Sequence, residues 1–257
     1  MKKIAFCFLI YDIINHEEIW NIFFKNIDTN KYNIYIHYKT NVPLKYFEKY
    51  KLKNCIDTKW GDISLVKAQN ILYTEALKDT QNEHFINISG ACIPLKSFDF
   101  IYNYLSTSSS YFKMMDNEET NFSRFDDLLK IIKKDYIKKS SQWCILNRKH
   151  TIKMIEDVEY IDWYSNFSCP DEHCYIINIY RYNLQDEIIT TEGFKCESTT
   201  YVEHEKFQMH PNSFSEISDN DITYLLQSKS LFARKFNKEC NLLNNNKYIN
   251  LISTYEL

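Results

Sequence analysis

The chain has 257 residues and 31.0 kDa, is 44% hydrophobic and 16% aromatic, and sets 31 basic against 34 acidic side chains for a formal charge of −3. That apolar and aromatic content excludes an intrinsically disordered chain, and three glycines with four prolines exclude a collagen-like or linker-rich one. A weakly acidic balance carries no electrostatic footprint for general nucleic-acid binding.

Lys2 and Lys3 open the chain, and Ile4 to Ile10 is almost wholly apolar. The run is too short, and too soon followed by Asp12, for a signal peptide or membrane span, so it predicts a strand buried on both faces. His16–Asn26 carries Ile19, Ile22 and Phe23 at helical spacing, and Tyr32–Tyr38 alternates as a second strand. Between Asp62 and Leu77, Leu65, Ala68, Leu72 and Ala76 form one helical stripe, with Asp62 or Ser64 as its cap. Phe85–Ser89 predicts a strand, Pro94 a turn and Phe98–Leu105 a helix. Ser106–Ser110 reads as a serine-rich turn, and Asp116–Ser141, which includes Lys133, Lys134, Lys138 and Lys139, as a charged excursion. Trp143–Leu146 predicts a strand followed by a helix from Arg148. Tyr201 and Val202 mark a late strand, and Ser218 caps a helix carrying Ile222, Leu225 and Leu226.

Strand–helix alternation predicts an α/β fold, with a mostly parallel central sheet flanked by helices. Because the alternation resumes after the excursion, one domain over residues 1–257 is expected, with the polar excursion at about 106–141. No internal repeat is visible. The eight cysteines fit no paired Cys-x-x-Cys zinc pattern, and Cys169, His173 and Cys174 cluster at the wrong spacing for a metal. With no export signal or membrane anchor read in the sequence, a soluble, cytoplasmic protein with reduced thiols is expected.

Glycines stand only at 61, 90 and 193, which leaves no phosphate-cradling loop, and there is no Gly-x-Ser-x-Gly elbow. Five unusual segments remain: Trp60-Gly61-Asp62-x-Ser64; Ser89-Gly90-Ala91-Cys92-Ile93-Pro94-Leu95; Ser141-Gln142-Trp143; Cys169-Pro170-Asp171-Glu172-His173; and Leu231-Phe232-Ala233-Arg234-Lys235-Phe236. Together, in order and with His210-Pro211 ahead of the last, they resemble the core-2/I-branching glycosyltransferases, glycosyltransferase family 14, in its plant-type branch. The likeness runs from about Ile4 to Phe236.

The resemblance implies a GT-A-like fold and inverting transfer of a sugar from a UDP donor, first guess UDP-N-acetylglucosamine, to an acceptor hydroxyl. Such a displacement needs a base for the acceptor proton. Glu172 occupies the position of the family's catalytic base, while Asp171 is expected to cap a helix or orient the loop. Lys235 matches the family's diphosphate-binding lysine, and Arg234 is typical of the plant-like branch; fixed cations can replace a metal at developing charge. No cofactor or metal is therefore expected. Asp219-Asn220-Asp221 is the one Asp-x-Asp, and capping with dipole compensation accounts for it. Further donor contacts are expected from Asp12, His37, Trp60, Gly61, Ser89 and His210, with Lys39 standing where animal relatives have an aspartate. The acceptor side is expected at Trp143, Lys139, His204 and Lys206, the last two replacing aromatic residues of the family. Two rival readings remain: a catalytically inactive glycan- or nucleotide-binding protein on the same fold, and a structural protein.

Overall fold

The structure, a computed structural model, describes residues 2–115, 125–191, 199–203 and 211–253. Its first half runs β1 (Lys3–Ile10), α1 (Glu17–Phe24), β2 (Tyr32–Tyr38), α2 (Ser64–Leu77), β3 (Asn82–Ser89), β4 (Ile93–Pro94), α3 (Phe98–Tyr104) and β5 (Ser110–Lys113). There follow α4 (Asp126–Leu129), β6 (Ile145–Asn147), α5 (Arg148–Glu156), α6 (Glu159–Trp163), α7 (Cys174–Arg181), β7 (Ile188–Thr191), β8 (Thr200–Val202), α8 (Asp219–Gln227), β9 (Phe232–Arg234) and α9 (Asn246–Ser253).

A six-stranded sheet has the order β2-β1-β3-β6-β5-β7. β1 is parallel to β2 and β3, with Phe6 opposite Ile34 and Ile86; β5 is parallel to β7. β6 alone is antiparallel to its neighbours. The carboxyl ends of the other five strands therefore share one edge, where β6 begins. This is the α/β, mostly parallel sheet that the alternation predicts.

The pleat of β1 explains the layers. Ala5 and Cys7 face one side, into a core with Leu72, Tyr73, Met154 and Ile176 of α2, α5 and α7. Ile4, Phe6, Phe8 and Ile10 face the other, against Trp20, Phe23 and Phe98 of α1 and α3. A strand apolar on both faces requires cover on both, and each large side chain so buried contributes roughly 1.5–3 kcal/mol.

Helix α1 connects β1 to β2, and α2 carries the chain back past β1 to β3. This reversal makes the crevice at the carboxyl ends of β1 and β3 a topological switch point, the usual ligand position in open α/β sheets. Gly90 closes that end of β3. A Cβ there would meet the Ile13 carbonyl oxygen at 2.4 Å, so only glycine permits the approach.

A second sheet, ordered β4-β9-β8, packs through Ile93, Ala233 and Phe236 against Ile222, Leu225 and Tyr248 of α8 and α9. Ser218 caps α8 as predicted: its hydroxyl accepts from the Asp221 amide at 3.2 Å, while the Asp221 carboxylate accepts from the Ser218 amide at 3.0 Å. At α2 the expected side-chain cap is replaced by a tied turn. Asp62 accepts from the Ser64 amide at 2.8 Å, and Ser64 accepts from the Lys59 amide at 2.9 Å. The expected serine-rich turn gives way at Ser110 to β5. Within the charged excursion, Phe125, Leu128, Ile132 and Ile137 sit in the core, while Lys130, Lys133, Lys134 and Asp135 face solvent.

Candidate functional site

Cys169 adopts a left-handed conformation (φ 53°) and opens a single 3₁₀ turn, Pro170–Glu172. Proline suits this place because the first residues of a helix have no partner for their N–H groups. The turn is fastened on both sides. The Cys169 amide donates to the Gly61 carbonyl at 2.8 Å, and the Ser140 amide donates to the Glu172 carbonyl at 2.9 Å. Gly61 sits at φ +69°, a conformation that favours glycine. Behind the turn, His173 is buried edge-on between Phe125 and Phe167, with Nδ1 2.8 Å from the Lys138 carbonyl oxygen. That contact places a proton on Nδ1, since a carbonyl can only accept.

In front of the turn, at the carboxyl edge of the main sheet, lies a cleft of about 160 Å³. Trp60 and Gly61 reach it from the loop before α2, Lys113 from the end of β5, and Trp143 from the approach to β6. Asp171 and Glu172 come from the 3₁₀ turn and Arg234 from β9.

Glu172, Lys139, Arg234 and Asp171 set the electrostatics beside the turn. Glu172 pairs with Lys139 at 3.2 Å, and each side chain is about one-third exposed. Arg234 lies with its guanidinium carbon 4.4 Å from the centre of the Trp143 ring. Burial lowers its pKa, and its Nε is enclosed without a partner. Asp171 is pushed up to about 7, chiefly by burial and then by the Glu172 carboxylate, and its Oδ1 is also enclosed without a partner. The cleft thus presents an accessible carboxylate and a stacked cation, with two enclosed polar atoms, Asp171 Oδ1 and Arg234 Nε, in its wall. A base, an anion contact and a hydroxyl contact are what these groups can supply.

The structure brings together Glu172, Arg234, Trp60, Gly61 and Trp143 as cleft walls, with Lys139 on Glu172. Trp60 is 63% exposed at the cleft. Trp143 is buried and bears Arg234 on its face, so it acts as a support and offers no open platform to an acceptor sugar. Lys235 is half-buried beside Arg234 but is not among the cleft-lining residues.

Three expected donor contacts lie elsewhere. His37 is fully buried in β2, its Nε2 accepts from the Ile56 amide at 3.0 Å, and burial lowers its pKa to about 4. Its ring is a core element. Asp12 accepts from the Ile13 amide at 2.7 Å just beyond β1. Ser89 is buried, with its hydroxyl 3.1 Å from Cys92 Sγ. Asp12 and Ser89 flank the β1/β3 crevice, outside the cleft lining. His204, Lys206 and His210 lie outside the described residues. Asp219 accepts from the Asn245 side chain at 2.8 Å and Asp221 closes the cap of α8, so both carboxylates serve local structure.

Sequence reasoning missed two of the acidic and basic residues of the cleft. Lys113 ends a strand that was read as part of a polar stretch. Asp171 was expected to cap or orient, yet it lines the cleft and its enclosed Oδ1 has no partner among the described residues. Two adjacent carboxylates after a proline were the signal available for it.

The family model for Core-2/I-Branching enzyme matches residues 4–226. Glycosyltransferase BC10 of Oryza sativa subsp. japonica is 25% identical over 256 residues; the match covers 84% of this chain and 63% of the rice protein's length. A solved Bacillus anthracis structure, described as a candidate glucose-1-phosphate thymidylyltransferase in complex with a sucrose, is 12% identical with a TM-score of 0.37. That match covers 74% of this chain and 87% of the bacterial one.

Proposed function

The chain belongs to the Core-2/I-Branching enzyme family, and from that membership and the cleft we propose that it is an inverting glycosyltransferase using a UDP-sugar donor and a glycan acceptor. The observation that carries this reading is the placement of Glu172 and Arg234 on one cleft at the carboxyl edge of the sheet.

In the proposed reaction the acceptor hydroxyl attacks the anomeric carbon. Its proton passes to the Glu172 carboxylate as the bond between the anomeric carbon and the diphosphate oxygen breaks, and UDP leaves with that electron pair. Lys139 keeps one face of the Glu172 carboxylate occupied at 3.2 Å and leaves the carboxylate partly open to the cleft. Arg234, fixed on Trp143, supplies positive charge where the diphosphate develops negative charge. Lys235, next in the chain, is proposed as a second diphosphate contact.

The nucleoside is assigned to the β1/β3 crevice, bounded by Asp12 and Ser89, on the switch-point argument. Trp60, exposed at the cleft, is proposed as a contact for a sugar ring. Transfer without a metal ion is also proposed, since fixed cations line the cleft and Asp219 and Asp221 are engaged at the start of α8. N-acetylglucosamine is the first sugar to test.

The test is UDP release across a panel of UDP-sugars, in EDTA and again with Mn²⁺. UDP release from one donor, equal in both conditions, is expected. Neither release nor thermal stabilisation by UDP would refute the proposal, and stabilisation without turnover in the presence of acceptors would leave a binding protein.

A further inference from the structure

We propose that Lys113 forms a subsite for an anionic group on the acceptor, so that the acceptor is an acidic saccharide; this rests on the glycosyltransferase reading above. Lys113 is the last residue of β5, all four residues of which are buried, and it is only 8% exposed. Among the described residues its ammonium group has no hydrogen bond or ion pair. Nor is the nitrogen enclosed, unlike Asp171 Oδ1 and Arg234 Nε. A buried stem therefore ends in an amine that opens into the cleft it lines. An ammonium group has three N–H donors and no acceptor, so it can bind only groups that accept hydrogen bonds. None of the described residues of the wall uses that charge, so an incoming anion is its fitting partner.

The charges around it agree. Glu172 is already paired with Lys139. Asp171 holds its proton up to about pH 7. Lys113, Lys139 and Arg234 thus face one carboxylate and a second that is largely neutral below pH 7.

Position separates Lys113 from the nucleotide. In the sheet order, β5 stands two strands beyond β3 and three beyond β1. At about 4.8 Å per strand, Lys113 is roughly 10–15 Å along the edge from the β1/β3 crevice. Arg234 on Trp143, at the start of the intervening β6, lies between them. The donor thus takes one end of the edge and Lys113 the other.

The distance to the proposed base is short. The Ser141 amide donates to the Lys113 carbonyl at 2.8 Å, and the neighbouring Ser140 amide donates to the Glu172 carbonyl at 2.9 Å. The two main chains are therefore within roughly 10 Å. An anion held by Lys113 belongs to the sugar that meets Glu172 or to its neighbour. A uronic acid carboxylate and a sugar phosphate share this chemistry.

Binding of matched saccharides to the full-length protein, measured by calorimetry in the presence of UDP, tests the assignment. The probes are a neutral methyl hexoside, the corresponding methyl uronoside and the corresponding hexose phosphate, each against wild type, Lys113→Met and Lys113→Arg. One or both acidic probes should bind wild type about ten- to a hundredfold more tightly than the neutral one, the scale of a charge-assisted hydrogen bond. The methionine variant should erase that preference and the arginine variant should keep part of it, with melting temperatures confirming that both variants fold. Which acidic probe binds identifies the anion. Equal binding of acidic and neutral probes would overturn the inference. So would a preference that survives in Lys113→Met, or a loss in that variant confined to UDP affinity. Absence of any UDP affinity or UDP release refutes the glycosyltransferase reading instead, whereas UDP release with no acid preference refutes only this inference.

Discussion

Replacing Asp171 by asparagine should stabilise the protein in alkaline solution and do much less in acid. The folded carboxyl holds its proton up to about 7, whereas an ordinary aspartate releases it near 3.8. Between those values the folded state binds more protons than the unfolded state, so stability falls as pH rises through that window and the loss is complete above about 7. Asparagine cannot ionise and escapes the loss. Of the range from pH 5 to pH 8.5, only the stretch up to about 7 lies inside that window; its roughly two decades of proton activity, at about 1.4 kcal/mol each, set a ceiling of about 3 kcal/mol. Water entering the open side of the cleft reduces this, so the advantage of Asp171→Asn should grow by about 1–3 kcal/mol over that range. Urea denaturation of both proteins at pH 5 and 8.5 measures it directly. The Glu172 carboxylate is the second cause of the shift, so the gain should shrink when Glu172→Gln is also present. An advantage for Asp171→Asn that does not change with pH would refute the account of a buried, protonated carboxyl beside Glu172.

Two further substitutions probe the frame of the site. Gly90→Ala drives a methyl group to 2.4 Å from the Ile13 carbonyl oxygen, and should cost about 1–3 kcal/mol in chemical denaturation; a neutral result would show that the loop after β1 yields freely. Trp143→Leu removes the ring beneath Arg234 and should weaken UDP binding about 3- to 30-fold in calorimetry, the worth of a cation–π contact; unchanged affinity would detach that stack from the donor site.

What the sequence revealed depended on how far each element declares a period. The apolar run of β1, the alternation of β2 and the stripe of α2 all lie where periodicity placed them, because each buries a continuous face against the core. Ser218 was legible because its capping box is a local pattern. Strands β4, β8 and β9 have two or three residues each, too few to show a period, and β8 was caught only as Tyr201 and Val202. Strand β5 was hidden by the serines before it and by Lys113 at its end. In the charged stretch, the buried Phe125, Leu128, Ile132 and Ile137 were outnumbered by their polar neighbours.

The site was read more unevenly. Glu172 and Arg234 were visible only through the order of five short segments, since a carboxylate or a cation in isolation looks like any surface charge. Reasoning from strand ends put Asp12, His37 and Ser89 at the carboxyl edge of the sheet. It could not say which way each side chain turns, and His37 turns into the core. The partners that make Lys113 and Asp171 chemically unusual come from distant parts of the chain, so no local pattern announces either.

The most direct test of the central claim is to compare wild type and Glu172→Gln for sugar transfer and for UDP-sugar affinity in the same preparations. The account predicts a loss of transfer of at least ~10²-fold, the scale of a missing general base, with donor affinity retained. Near-normal transfer by Glu172→Gln would contradict it.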